Sequence, residues 1–332
     1  MARLRRAGPP SDPWPARIRQ LADLGVPIAE WEPMRRYTTL RIGGPARVMV
    51  HPRSRQQLLA TLTLAGERRW PIFLLGEGSK LLVHDHGLNR LVIATKDALA
   101  TWGAGSDTAS DIDVGAGVAI RTLARATATQ GLSGLEFFAG VPGSVGGAVY
   151  MNAGGRGVDV GQFVDFVRVY DLPARRTIIV HRPNLAFGYR TSILQRHPWL
   201  ALSARLHLAP QDPRVTLARM ADFLARRHAA QPVDVPSAGS VFVNPPQARA
   251  SILLDHAGVR GWRVGSAVIP SFHANFITNE LQEGGATAEE VFTLMRRMHE
   301  AVRGRYGVHL RPEVIGAGFG DAWREAFGVP SR

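Results

Sequence analysis

The stretch from Gly131 to Gly157 limits the possible folds of this chain more than any other segment. Nine of its 27 residues are glycine, and large apolar residues such as Phe137, Val145 and Tyr150 are interleaved with them. Flexible linkers lack such apolar residues, which favour burial, whereas glycine permits positive φ and a close approach of the backbone to another surface. The pattern is typical of a buried backbone folded tightly against a large cofactor. A set of tight turns between core strands is the alternative interpretation.

Composition indicates a multidomain globular protein outside the membrane. The chain has 332 residues, of which 45% are hydrophobic and 20% charged, and this length predicts two or three domains. No segment approaches the roughly 18 consecutive apolar residues that a membrane-spanning helix needs. The chain has no cysteine, which excludes disulfides, thiolate metal ligands and cysteine nucleophiles. We expect a reducing, cytoplasmic environment.

The charge balance is strongly basic, with 40 Lys+Arg against 27 Asp+Glu and a formal net charge of +13. Such a balance is compatible with nucleic-acid binding or with attraction of small phosphorylated ligands. The arginines are spread along the chain and form no single basic and aromatic stripe. A phosphorylated small ligand is therefore favoured over nucleic acid.

The sequence divides into segments of different character. The basic N-terminus has no apolar region behind it and is not a secretory signal. The first globular segment alternates strand and helix signals, the second is richer in strands, and Gln211-Asp212-Pro213 indicates a boundary. The predicted limits are a disordered basic arm at 1–17, globular segments at 18–97, 98–212 and 213–320, and a tail at 321–332.

Local signals predict individual elements within these segments. Ser54 is the expected N-cap of a helix in the first segment, and an arginine-rich helix is predicted from Val215 to His228. Short strands are expected after Ser240 and at 308–310. The last helix has the capping box of Thr287 and Glu290 and is closed by Gly307.

A glycine loop, Gly76-Glu77-Gly78-Ser79-Lys80, directly follows a predicted strand. Consecutive backbone amides in such a loop suit phosphate oxygens. Leu81 stands where the dinucleotide fingerprint needs glycine, so the loop is not of the Rossmann type. It is either a phosphate cradle or a plain turn.

Two further segments carry candidate catalytic groups. Arg190 lies beside Tyr189 and Gly188, where its planar fork suits a carboxylate, although a surface arginine stacked on the tyrosine fits equally. Ser240 ends a small-residue turn that lacks the G-x-S-x-G elbow of hydrolases. It is either a proton donor or part of a turn that enters a strand.

Other polar residues are ambiguous by themselves. Glu313 follows an arginine and a proline and precedes a valine, and it is interpreted as a surface carboxylate. His273 is interpreted as a core histidine. His84-Asp85-His86 has no third spaced partner nearby and is interpreted as a hydrated turn, so no metal site is expected.

Taken together, seven segments in order resemble the UDP-N-acetylenolpyruvoylglucosamine reductase family. They are residues 37–46, the GEGSKLLV loop at 76–83, the glycine-rich stretch, FGYRTS at 187–192, SAGSVFVNP at 237–245, HANFITN at 273–279 and LRPEV at 310–314. The spacing between Arg190 and Ser240 is similar to that of the family type without an inserted tyrosine-bearing loop.

The resemblance implies an α+β flavoprotein. A two-part FAD-binding region of the vanillyl-alcohol-oxidase (PCMH) type would be followed by a C-terminal α+β substrate domain. NADPH would reduce the FAD, which would then pass hydride to the enolpyruvyl group of the sugar nucleotide and give UDP-N-acetylmuramate for peptidoglycan synthesis. The implied partner is a small-molecule substrate rather than a membrane or nucleic acid, and the implied protein is a monomer or weak dimer.

The resemblance also implies roles for individual residues. Ser240 would protonate the substrate carbon, and Arg190 and Glu313 would hold and polarise the substrate carboxylate, with Glu313 keeping its proton in a buried site. The implied cofactor-binding residues are Arg41, Gly76, Gly78, Ser79, Lys80, Leu81, Gly140, Pro142, Gly143, Ser144, Gly146 and Gly147. The implied substrate-binding residues are Tyr189, Asn244, His273 and Asn275.

Three positions depart from the family pattern. The family commonly has asparagine where Lys80 stands, lysine where Val243 stands and a basic residue where Phe272 stands. These departures leave open a related flavin oxidoreductase with a different substrate. The net charge leaves open a non-catalytic homologue that binds nucleic acid.

Overall fold

The computed structural model describes residues 12–105, 108–155, 157–281 and 284–332. The α-helices within these residues are α1 (Trp14–Ala22), α2 (Arg55–Glu67), α3 (Ile120–Thr129), α4 (Val145–Met151), α5 (Pro213–Ala230), α6 (Ala250–His256), α7 (Ala288–Tyr306) and α8 (Asp321–Phe327). Short 3₁₀ helices lie at Met34–Arg36, Asp97–Leu99, Glu136–Phe138, Val160–Gln162, Arg182–Asn184 and Ile193–Gln195. No helix in the described part of the chain is long and apolar enough to cross a membrane.

The first sheet has four strands in the order β1-β2-β5-β3. They are β1 (Ile28–Pro33), β2 (Pro45–Val50), β3 (Ile72–Leu75) and β5 (Leu88–Ala94). Strands β2, β5 and β3 run parallel, with α2 as a crossover, while β1 is antiparallel. Ser54 caps α2 as predicted, since its hydroxyl accepts a hydrogen bond from the Gln57 amide.

The second sheet is antiparallel and has five strands in the order β12-β11-β13-β7-β6. They are β6 (Trp102–Ala104), β7 (Asp111–Gly115), β11 (Val164–Asp171), β12 (Arg176–His181) and β13 (Trp199–His207). Two small pairs lie beside it, β8 (Leu132–Ser133) with β14 (Ala209–Pro210) and β9 (Gly154–Gly155) with β10 (Val158–Asp159). One hydrophobic cluster joins this sheet to the first, because Leu58 and Leu62 of α2 belong to the same core as Val167 and Val169 of β11.

Helix α5 packs against α3 of the second segment. The Thr216 hydroxyl donates a 2.7 Å hydrogen bond to the carbonyl of Ala128, the penultimate residue of α3. Residues 213–230, which the sequence places in the C-terminal segment, therefore contact the second segment. The three predicted segment limits remain predictions.

A second hydrophobic core contains residues of α6, α7 and α8 together with Leu40, Ile42 and Leu82 of the first segment. The small sheet of the C-terminal part contains β15 (Arg263–Val264), β16 (Ala267–Val268) and β17 (Thr278–Asn279). Helix α7 begins with the capping box of Thr287 and Glu290 and ends at Gly307, as the sequence predicts. The predicted tail at 321–332 contains α8, whose Trp323 and Phe327 are buried in this core. The tail is thus part of the domain.

Strand β18 (Ile315–Ala317) returns the end of the chain to the first segment. It pairs in parallel with β4 (Leu81–Val83), which directly follows the glycine loop. This pairing places the LRPEV segment beside that loop.

The predicted disordered arm is too long at its C-terminal side. Helix α1 already begins at Trp14, whose side chain is buried and whose indole donates a 2.8 Å hydrogen bond to Asn89 Oδ1. Residues 1–11 of the predicted arm lie outside the described residues.

Candidate active site

Two glycine-containing segments lie next to each other in the fold. The loop at 76–80 follows β3, and residues 142–144 lead into α4. The amide of Gly143 donates a 3.2 Å hydrogen bond to Glu77 Oε2, which joins the two segments directly. Gly78 adopts a φ of +59°, and a Cβ there would lie 1.9 Å from the Tyr37 carbonyl oxygen. Only glycine fits that position.

A cavity of about 820 Å³ opens between these segments, within the usual volume of ligand pockets. Ten of the twelve predicted cofactor-binding residues line it, namely Gly76, Gly78, Ser79, Lys80, Leu81, Pro142, Gly143, Ser144, Gly146 and Gly147. The other two lie outside its lining: Arg41 is exposed, and a Cβ at Gly140 would meet Leu224 of α5. The sequence therefore predicted most of this cavity wall, and the assignment of Arg41 and Gly140 to the cofactor stays a prediction.

The polar lining of this cavity fits a large polar cofactor such as FAD. Arg227 and Gln231 line it, and their buried atoms Nε and Oε1 have no hydrogen-bond partner among the described residues. Burial lowers the pKa of Arg227. Since unpaired buried polar groups are costly, these two atoms fit a ligand that supplies hydrogen-bonding groups.

The three predicted catalytic residues line the same cavity. Arg190 precedes the 3₁₀ helix Ile193–Gln195, Ser240 ends the turn before Val241, and Glu313 lies two residues before β18. Arg190 Nε is 3.4 Å from Glu313 Oε1. The tertiary structure thus brings together side chains from three distant parts of the sequence.

Glu313 is buried, with 8% of its side chain exposed, and two cations contact it. Lys80 Nζ lies 3.0 Å from the same Oε1 that faces Arg190. Burial raises the pKa of Glu313, but the charges of Lys80 and Arg190 outweigh burial and lower that pKa overall. These two ion pairs favour the ionised form of Glu313, whereas burial alone would favour the protonated form that the resemblance implies. The role of Glu313 toward a substrate stays a prediction.

Lys80 lines the cavity and also contacts two of the candidate catalytic residues. Its ammonium group donates a 3.1 Å hydrogen bond to the Ser240 carbonyl in addition to its contact with Glu313. The assignment of Lys80 to the cofactor stays a prediction.

The backbone around Arg190 is held in an unusual conformation. Arg190 has a φ of 55°, in the left-handed region that non-glycine residues seldom adopt. Gly188 and Thr191 exchange two backbone hydrogen bonds of 3.1 Å across this turn, and Asn152 Nδ2 donates to the Gly188 carbonyl at 2.9 Å. The cost of the left-handed backbone is thus offset locally, and the guanidinium is presented to the cavity.

The four predicted substrate-binding residues do not line the cavity. Tyr189 is 55% exposed and lies against the Arg190 guanidinium, 5.2 Å from ring centroid to Cζ. The Asn244 side chain accepts a hydrogen bond from the Ala250 amide at the start of α6. Their assignment to the substrate stays a prediction.

His273 and Asn275 have structural partners. Asn275 is buried, and its side-chain amide pairs with both the backbone amide and the carbonyl of Phe242, at 3.0 and 2.9 Å. His273 is half-buried and packs edge-on against Phe276, and burial lowers its pKa. The assignment of both residues to the substrate stays a prediction.

Several cavity residues carried no distinctive sequence signal. Arg226, Arg227 and Gln231 come from α5 or directly follow it, where the only indication was a helix rich in arginine. Arg332 reaches the cavity from beyond α8, where its guanidinium lies over the Tyr150 ring and bonds its hydroxyl. The sequence gave no indication of this contact.

Comparison with known proteins agrees with this geometry. Residues 46–174 match the model of an FAD binding domain, and residues 231–316 match the C-terminal domain of UDP-N-acetylenolpyruvoylglucosamine reductase. The first region contributes the glycine segments and the second contributes Ser240 and Glu313. The predicted fold class is confirmed by the FAD-binding match and by the solved structure described next.

Full-length relatives carry the same name. The UDP-N-acetylenolpyruvoylglucosamine reductase of Moorella thermoacetica is 40% identical over 283 residues, covering 85% of this chain and 91% of the relative. That of Rubrobacter xylanophilus is 39% identical over 284 residues, covering 85% and 93%. The crystal structure of UDP-N-acetylenolpyruvylglucosamine reductase (MurB) from Thermus caldophilus aligns with a TM-score of 0.73 at 34% identity, covering 88% of this chain and 98% of that one.

Proposed function

The chain belongs to the UDP-N-acetylenolpyruvoylglucosamine reductase family, and from this premise we propose how it acts. It is an FAD-dependent enzyme that uses NADPH to reduce the enolpyruvyl group of UDP-N-acetylglucosamine enolpyruvate to UDP-N-acetylmuramate in peptidoglycan synthesis. The observation that carries the proposal is the cavity that Arg190, Ser240 and Glu313 share with both glycine segments.

The backbone of the segments at 76–81 and 142–147 would hold FAD. The glycines of these segments have no side chains, which lets a cofactor approach the backbone, and Arg227 and Gln231 offer unpaired polar atoms to it. When bound, FAD supplies hydride transfer between a reduced nicotinamide and the substrate double bond, which side chains cannot provide.

Arg190 binds the substrate carboxylate in this proposal. Addition of hydride to the enol ether builds negative charge on the carbon next to that carboxylate. A fixed guanidinium stabilises this charge as it develops, because it needs no reorganisation during the reaction. Glu313, as a carboxylate 3.4 Å from Arg190 Nε, orients the guanidinium rather than donating a proton.

Ser240 donates the proton that completes the reduction. A serine hydroxyl is a weak acid in water, but the developing carbanion is strongly basic and the geometry is fixed. The carbonyl of Ser240 is bound by Lys80, and the neighbouring Val241 amide donates a 2.9 Å hydrogen bond to the Asn275 carbonyl. These contacts support a defined position for the hydroxyl.

The test separates the two halves of the reaction. Purified protein should be yellow, NADPH should bleach it without oxygen, and the enolpyruvyl sugar nucleotide should restore the colour. Recovery of the colour with another unsaturated compound, and none with this nucleotide, would favour a related oxidoreductase. A colourless protein whose nucleic-acid binding falls steeply with salt would favour the non-catalytic alternative.

We further propose that the enzyme is a cytoplasmic monomer or weak dimer. The proposal is supported by the cytoplasmic supply of NADPH and sugar nucleotide that the reaction requires. Cell fractionation and light scattering coupled to gel filtration test the two statements separately, and a stable larger assembly would contradict the second.

A further inference from the structure

Lys80, in the glycine loop, forms a charged cluster with Glu313 and Arg190 next to the Ser240 turn. Lys80 is 25% exposed, and its Nζ is 3.0 Å from Glu313 Oε1 and 3.1 Å from the Ser240 carbonyl oxygen. It therefore contacts two of the three segments that carry the catalytic residues. It reaches the third, at Arg190, through the shared Glu313 oxygen.

The backbone fixes this arrangement before any ligand binds. The Ile315 amide donates a 2.7 Å hydrogen bond to the Lys80 carbonyl at the start of the β4–β18 pairing. The chain at Gly239 passes so close that a Cβ there would lie 3.1 Å from Lys80 Nζ. A side chain larger than hydrogen at 239 would press on the ammonium, so the turn and the lysine fit as a unit.

Lys80 determines the net charge of this cluster. Lys80 and Arg190 each contribute one positive charge and ionised Glu313 contributes one negative charge, so the cluster has one net positive charge. Without Lys80, Arg190 and ionised Glu313 would cancel. A net positive charge would then require a protonated Glu313.

Resting on the proposed function, we propose that Lys80 is a positioning residue for the reduction of the substrate. It pairs with Glu313, holds the Ser240 turn and leaves the cluster with the positive charge that the substrate carboxylate neutralises. The lysine thereby gives the cluster a positive charge without a protonated carboxyl group.

The proposal predicts that reoxidation of the flavin depends on pH differently in Lys80→Met and in the wild type. The charged groups facing Glu313 are Lys80, from the glycine loop, and Arg190, from the FGYRTS turn. Burial raises the pKa of Glu313 while both cations lower it, so removal of Lys80 raises it. In Lys80→Met, the cluster regains its positive charge below that raised pKa and loses it above. The rate of flavin reoxidation in this variant should therefore fall further below the wild-type rate as the pH rises.

The experiment compares Lys80→Met with Arg182→Met, which removes one positive charge at an exposed residue that is not part of the cavity lining. The Arg182 guanidinium donates a hydrogen bond to the Gln162 carbonyl. We expect both variants to keep FAD and to be reduced by NADPH at the wild-type rate. In Lys80→Met alone, reoxidation by the enolpyruvyl nucleotide should be slower by about 10²-fold at alkaline pH, the usual effect of losing one electrostatic donor. The difference in reoxidation rate between Lys80→Met and the wild type should become smaller at acidic pH.

The double variant Lys80→Met/Glu313→Gln tests the charge argument directly. A neutral glutamine leaves Arg190 uncompensated and restores one net positive charge, so reoxidation should be faster than in Lys80→Met at alkaline pH. Carboxyl ¹³C NMR, with Glu313→Gln as the assignment control, should show Glu313 titrating at higher pH in Lys80→Met than in the wild type.

Other outcomes would overturn the inference. Loss of FAD, or equal slowing of both half-reactions, would assign Lys80 to the cofactor. A pH profile parallel to the wild type, or an unchanged Glu313 titration, would remove the positioning role. If wild-type protein is not reoxidised by the enolpyruvyl nucleotide, the proposed function fails, while the NMR titration still decides whether Lys80 controls Glu313.

Discussion

The guanidinium of Arg190 donates a 2.8 Å hydrogen bond to the carbonyl of Gly154. This bond ties the FGYRTS turn to the end of the glycine-rich stretch. One nitrogen of the guanidinium is thus held by the backbone, and another lies next to Glu313. The remaining donors are available to a ligand in the cavity.

Arg190→Lys should slow reoxidation of the flavin by the enolpyruvyl nucleotide by about 10²-fold or more. Lysine keeps the charge but lacks the planar fork that can bind Gly154, Glu313 and a carboxylate together. Rapid-mixing absorbance measures the step. Arg182→Lys, at an exposed arginine, is the matched control, and equal slowing in both variants would contradict the role of Arg190.

Ser240→Ala should slow reoxidation by roughly 10²–10⁴-fold, the usual contribution of a general acid. Reduction by NADPH should stay at the wild-type rate, since the hydroxyl acts on the substrate alone. Ser237→Ala removes a hydroxyl from the same turn, where it accepts only a long bond of 3.4 Å from the Gly239 amide. It should leave both steps near the wild-type rate. Slowing of both steps in Ser240→Ala would indicate a damaged site.

Gly147→Ala should weaken FAD binding at least tenfold without destabilising the protein. A Cβ at Gly147 makes an ordinary contact of 3.5 Å with Ser144 Oγ, but it projects from a residue that lines the cavity. Alanine also favours helix by about 1 kcal/mol over glycine, so FAD-free protein should be slightly more stable. Equilibrium dialysis and thermal unfolding measure the two effects.

Gly304→Ala is the control for this prediction. Gly304 lies in α7 and a Cβ there has no neighbour within 4 Å. The substitution should raise the unfolding temperature and leave FAD affinity unchanged. Unchanged affinity in Gly147→Ala as well would place the cofactor elsewhere.

The free energy of unfolding should decrease as the pH falls below about 6.5. Burial lowers the pKa of His299 from its usual 6.5, although Nδ1 lies 3.1 Å from the Leu310 carbonyl. Burial acts in the same direction on His273. Between the unfolded and the lower folded pKa, the unfolded chain binds more protons, so stability is present above this window and is lost as the pH falls through it.

His299→Gln should make this decrease shallower. Glutamine keeps a donor for the Leu310 carbonyl but takes up no proton in this pH range. Urea unfolding at a series of pH values measures the slope. Identical slopes for variant and wild type would show that His299 does not contribute.

Local signals predicted local structure well. The capping box of Thr287 and Glu290 and the cap at Ser54 lie where the sequence places them, because each depends on residues within one helical turn. Two short strands predicted after Ser240 and at 308–310 do not form. Phe242 makes a single bridge to Pro312 instead, since its backbone is bound by the Asn275 side chain.

The cavity wall was predictable in part for a different reason. Glycine at positions such as Gly78 is imposed by a backbone contact that no side chain can share, so it leaves a visible trace in the sequence. Arg227 and Arg332 left none, because an arginine in a basic chain looks the same whether it faces solvent or a cavity.

The sequence alone predicted the α+β fold, most of the glycine-lined cavity wall and the candidate residues Arg190, Ser240 and Glu313. Each of these predictions depends on residue types in a local order. Only the tertiary structure decided that Lys80 meets Glu313, where its charge lowers the pKa of that carboxyl group. That contact arises from the parallel pairing of β4 with β18, which joins segments from opposite ends of the chain, and electrostatic interaction depends on the distance in space rather than on the distance in sequence.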